Sequence, residues 1–147
     1  MNSKVSGIII VVISIVIFIS LFGMDFEDIE SNDVFHVTLA NPEMYENGVF
    51  VDSFKIEEGS YYFDFIPNGD SPQILKVVLQ GDDYYFMEDF ELEGTLHNTG
   101  ISEYYTWRYA GDDDSKIKIS YSQELQITID PNGNYNGPVS VILKKSS

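Results

Sequence analysis

From Val34 to the C-terminus, apolar side chains return at every second position, in short runs cut by Gly, Pro and Asn clusters. Neighbouring side chains of a strand point to opposite faces, so a period of two gives each strand one dry and one wet face. In residues 34–40 the dry face is Phe35, Val37 and Leu39, and residues 49–56 follow the Asn47-Gly48 turn signal. Residues 60–66 alternate Tyr61, Phe63 and Phe65; residues 74–79 alternate Leu75, Val77 and Leu79. Residues 84–92 are rich in Phe and Tyr, residues 94–102 read as a loop carrying His97, and residues 104–109 set Tyr105, Trp107 and Tyr109 on one face. Three more alternations follow: Ile117, Ile119 and Tyr121; Leu125, Ile127 and Ile129; Val139, Val141 and Leu143.

Beyond Met24 no stretch keeps a 3.6-residue apolar period over three turns. Eight or nine short strands separated by turn residues predict an all-β fold, an antiparallel β-sandwich of Greek-key or jelly-roll type. Its expected core is Val37, Leu39, Phe63, Phe65, Leu75, Val77, Tyr105, Trp107, Ile119, Ile127, Ile129, Val139 and Val141. Nineteen aromatic residues beyond Met24 supply bulk for that core.

Residues 5–24 (VSGIIIVVISIVIFISLFGM) carry no charge. At ~1.5 Å per residue such a run is ~30 Å long as a helix, the thickness of a bilayer's hydrocarbon core. Only the N-terminal amine and Lys4 precede it, while Asp25, Glu27, Asp28, Glu30 and Asp33 follow. Positive charge stays inside, so the expected topology is single-pass in the cell membrane, N-terminus in the cytoplasm and C-terminal domain extracellular. The run is longer than a cleaved signal's apolar core, and Ser20-Leu21-Phe22-Gly23 offers no A-x-A-like site. The expected organisation is a cytoplasmic stub (1–4), a transmembrane signal-anchor helix (5–24), an acidic spacer (25–33) and an extracellular sandwich (34–147).

All 24 acidic residues lie at or beyond Asp25, with seven of the eight basic ones, which leaves that part at −17 against −16 for the whole chain. Nucleic acid and anionic headgroups are repelled by such a surface. The chain has no cysteine, so an extracellular domain must hold together through its core without disulfides, and no N-x-[ST] sequon occurs.

Few residues suggest chemistry. Blue copper needs a thiolate, and His36 and His97 are the only imidazoles. There is no G-x-S-x-G elbow, and no Ser, His and Asp stand out as a set, so the expectation is no enzyme and no catalytic residue. Ca²⁺ is the one cofactor with candidate ligands, because hard cations take several oxygens from one or two loops. Asp112, Asp113 and Asp114 are adjacent carboxylates, and Asp130 opens an Asp130-x-Asn132-x-Asn134-x-Asn136 spacing. That spacing has Tyr135 where a calcium loop needs Gly, and Val141 where it needs a bidentate Glu.

Glu58-Gly59-Ser60-Tyr61-Tyr62-Phe63-Asp64-Phe65-Ile66-Pro67-Asn68-Gly69, continued through Leu75–Leu79, resembles the late strands of the Golgi-dynamics (GOLD) domain family. Phe35-His36-Val37-Thr38-Leu39-Ala40 and Gly137-Pro138-Val139-Ser140-Val141 are similar to segments of small membrane-anchored proteins of ammonia-oxidising archaea. The GOLD likeness covers about one fifth of the domain. It implies a non-enzymatic sandwich that binds protein partners, and it carries over no functional residue. The chain departs from that family's cargo receptors in its N-terminal apolar run, its lack of cysteine and its lack of a coiled coil. The expected function is a non-catalytic, membrane-anchored module for protein binding or envelope structure. A Ca²⁺-dependent or glycan-binding sandwich and an exported small-molecule or metal-binding protein are the alternatives. A glycan binder would expose a coplanar Tyr/Trp strip, and a protein binder a wider apolar patch.

Overall fold

The computed structural model describes residues 32–112 and 116–147, so the expected anchor at 5–24, the stub and most of the acidic spacer lie outside the described residues. Nine strands account for the described chain: β1 (Asp33–Leu39), β2 (Phe50–Ile56), β3 (Gly59–Pro67), β4 (Ile74–Gln80), β5 (Tyr85–Asn98), β6 (Glu103–Ala110), β7 (Ile117–Ile119), β8 (Gln123–Asp130) and β9 (Val139–Lys145). A single 3-10 turn, Pro42–Met44, is the helical piece among these residues, where no helix is long and apolar enough to cross a membrane.

Two antiparallel sheets form, with strand orders β1-β9-β3-β7 and β2-β8-β4-β5-β6. The alternation explains their packing. Leu75, Val77 and Leu79 of β4 and Leu125, Ile127 and Ile129 of β8 are buried on one inner face. Leu39, Tyr61, Ile117, Ile119, Val139, Val141 and Leu143 are buried on the other. Rings join the two layers: Phe35 of β1 meets Phe54 of β2 at 5.0 Å between centroids, and Phe65 of β3 meets Phe90 of β5 at 4.6 Å. Burial of this apolar surface is the main force holding the sheets together. Ser71, the buried polar residue among the described ones, ties two loops to each other. Its hydroxyl lies 2.6 Å from the Pro138 carbonyl and accepts the Asn68 N–H at 2.7 Å.

Tight turns follow their residue chemistry. Asn47 and Gly48, with φ of 52° and 88°, close the small hairpin between Glu46 and Val49. Both positions take a positive φ, which Asn-Gly adopts at low cost.

Two expectations need correction. Of residues 94–102 only 99–102 form a loop: β5 runs for 14 residues to Asn98, β6 starts at Glu103, and His97 lies inside a strand. Tyr105 and Trp107 are not core residues, being 56% and 51% exposed. Their alternation is right, since Tyr109 on the same face packs against Phe65 at 5.3 Å. What fails is the cover. β4 pairs with β5 only over Tyr85–Glu91, whereas β6 pairs with it from Glu91 to Asn98. Beyond Leu92 the β5–β6 hairpin is a two-stranded arm with no further strand beside it among the described residues, and Leu96, Tyr105 and Trp107 on its inward face are exposed. Phe63, Phe65 and Val37 are partly buried and pack against the core, and the other expected core residues are buried.

Candidate functional site: the aromatic arm

The arm is built by cross-strand pairs. On its inward face Leu96 lies opposite Tyr105 and Gly94 opposite Trp107. The Trp107 ring rests over Gly94 so closely that a Cβ added there would lie 2.8 Å from the ring. Glycine in a strand often marks such a close approach. The Tyr105 and Trp107 rings lie side by side, 5.8 Å apart and 25° from parallel.

The outward face is polar and locally paired. His97 stacks on Tyr104 at 5.0 Å, and its Nε2 lies 2.8 Å from Thr106 Oγ1. Arg108 reaches Glu93 at 3.3 Å. At the tip, Asn98 Oδ1 accepts the Gly100 N–H at 2.7 Å and Thr99 bonds to Ser102, which leaves Ile101 97% exposed. Leu96, Ile101, Tyr104, Tyr105 and Trp107 are thus all exposed within one hairpin. An exposed cluster of that kind is unusual on a monomer, where large apolar groups are exposed singly.

At the root of the arm the phenol of Tyr109 donates to the Pro72 carbonyl. Burial, aided by the neighbouring Tyr45, pushes its pKa well above the usual 10.0, against the lowering effect of the Ser71 hydroxyl. The Tyr109 anchor fixes where the arm leaves the sandwich.

Of the two separate candidate cation loops, the described carboxylates are Asp112 and Asp130. The Asp112 N–H donates to Glu88 Oε1, in a groove also lined by Asp89, Glu91 and Glu93. Asp130 lines a different groove with Lys76 and Asn132, and its Oδ1 accepts the Asn132 N–H at 2.8 Å. There Lys76, opposite Asp130 in the β4–β8 register and 3.7 Å from Asp89, already supplies a cation. Asp113 and Asp114 lie outside the described residues. Among the described residues no three His, Asp or Glu side chains converge as a metal site would require. His36 is on β1 of one sheet and His97 on β5 of the other, so the two imidazoles belong to no common site.

No family model, curated protein or solved structure matches this chain. The period-two alternation hides the arm, because exposed and buried aromatics on one strand face read alike. One signal pointed to it: Thr95, Leu96 and His97 continue a β-compatible run past Gly94, and Tyr104–Trp107 could pair with it.

Proposed function

We propose that this chain is a non-catalytic binding module that grips a protein partner with the β5–β6 arm. The observation that carries this reading is the exposure of Leu96, Ile101, Tyr104, Tyr105 and Trp107 on one projecting hairpin. Tyr, Trp and Arg are the side chains that dominate binding energy at protein interfaces, and all three occur on β6. The exposure extends over both faces and the tip, which suits a protein surface better than a single sugar. The separation of His36 from His97 and the absence of cysteine support a non-catalytic role. The uncharged run at 5–24 and the acidic residues after it support an anchored module, N-terminus inside and domain outside. The frequent crossings of the chain between sheets are in the manner of a Greek key or jelly roll, and the GOLD resemblance points to the same partner class.

One observation favours a second reading. The nearly parallel rings of Tyr105 and Trp107, 5.8 Å apart, are spaced to stack on the C–H faces of successive sugar units. Trp107 is the sole tryptophan, so its emission reports on the arm directly. A shift on adding envelope protein, lost in a Leu96→Ser/Tyr105→Ser variant, is the expected result. A shift with soluble glycans and none with envelope protein would reverse the ranking. No response to either would remove the arm as the binding surface.

A further inference from the structure

We propose that the outer edge of β6 pairs with β6 of a second copy of this chain, joining two five-stranded sheets into one. Among the described residues, strands β1, β7, β2 and β6 end the two sheets, and an unpaired edge offers a row of N–H and C=O groups to any passing strand. Three of these edges carry the usual protection. β1 has a register irregularity between Asp33 and Phe35; β7 is three residues long; β2 places Asp52 opposite the buried Ile127, a charge on its inward side, and ends near Lys55. β6 differs. It is eight residues long, regular against β5, free of Pro and Lys, and carries three Tyr, one Trp and one Thr. Its one cation, Arg108, is engaged with Glu93.

The backbone fixes the phase of any pairing. Leu92 N–H donates to the Gln73 carbonyl on the β4 side, and Thr99 N–H donates to Ser102 across the hairpin. N–H and C=O of one residue point the same way and alternate along a strand, so odd-numbered residues of β5 bond to even-numbered residues of β6. Glu103, Tyr105, Trp107 and Tyr109 therefore turn their backbone groups toward the open edge. A two-fold axis at Thr106 pairs the strand over nearly its whole length in that phase. Tyr105 then meets Trp107 of the second copy with both hydrogen bonds formed, Thr106 meets Thr106, and Tyr104 lies opposite Arg108. Aromatic pairs and Thr–Thr pairs are favourable cross-strand neighbours. The strand is balanced in charge, with Glu103 against Arg108, in a chain that is otherwise strongly acidic. Edge pairing leaves the inward face open, so two Tyr105/Trp107 pairs would lie side by side. The inference stands whether or not the arm also binds another protein.

The test uses the full chain, which has no native cysteine. Thr106→Cys places two thiols on a non-hydrogen-bonded pair, where Cα atoms are ~4.5 Å apart and a disulfide can span them. Under mild oxidation a covalent dimer is expected from Thr106→Cys and none from Val51→Cys on the exposed β2 edge. Tyr104→Cys and Arg108→Cys chains should crosslink to each other when mixed, and neither to itself. Adding Tyr105→Pro to Thr106→Cys should abolish the crosslink, since proline is tolerated where the N–H faces solvent but cannot pair; an unchanged β-type circular dichroism spectrum confirms the fold. Salt should speed crosslinking by screening the acidic domains. Equal crosslinking at Thr106 and Val51, none at Thr106, or capture of a different protein at Thr106 would each overturn the proposal.

Discussion

Phe90 and Trp107 sit in equivalent alternation patterns, yet the structure assigns them opposite energetic weight. Phe90 is 5% exposed and wedged between Phe63 at 5.8 Å and Phe65 at 4.6 Å, where it holds the two sheets together. A buried aromatic side chain removes ~150–250 Å² from water, and truncation to Ala costs about 3–5 kcal/mol once the cavity is included. Because Phe63 and Phe65 are only partly buried, they can relax into the space, and about 3–4 kcal/mol is expected. Trp107 is 51% exposed, and its removal leaves a gap open to water rather than a cavity. Half the transfer area remains at stake, so Trp107→Ala should cost about 1–2 kcal/mol. The two variants should therefore differ by about 2 kcal/mol in a domain whose total stability is of order 5–15 kcal/mol. Denaturant unfolding followed by far-ultraviolet circular dichroism measures both, because the signal does not depend on the tryptophan. An equal loss in the two would show that the arm packs against the sandwich, and the argument for an exposed aromatic surface would fall.

Tyr109 gives a pH dependence. Its folded pKa lies above the usual 10.0, so the native state holds the phenolic proton longer than the unfolded chain does. The resulting stability is fully present below pH 10 and is lost as pH rises from there through the folded value. Tyr109→Phe should flatten this alkaline loss and cost about 1–2 kcal/mol at neutral pH by leaving the Pro72 carbonyl unpaired, as read from melting curves between pH 8 and 11. Gly94→Ala should push the Trp107 ring off its seat, with a red shift of its emission and little change in melting temperature; an unshifted spectrum would mean the ring does not rest there.

The sequence by itself determined the class of fold and most of its core. A period of two is a local property, set by which side of a strand each residue faces, and it identified Leu39, Leu75, Val77, Ile119, Ile127, Ile129, Val139 and Val141, all buried in the sandwich. Turn chemistry was equally local: Asn47-Gly48 and the proline-bounded loop before β9 were legible from their residues. What the alternation cannot encode is whether anything lies across from a strand's apolar face. Tyr105, Trp107 and Tyr109 read alike, but only Tyr109 meets the opposite sheet, because β5 and β6 run on past the end of β4. Burial is a relation between elements distant in the chain. The exposed arm, the open edge of β6 and the separation of Asp112 from Asp130 into different grooves were therefore decided only by tertiary structure.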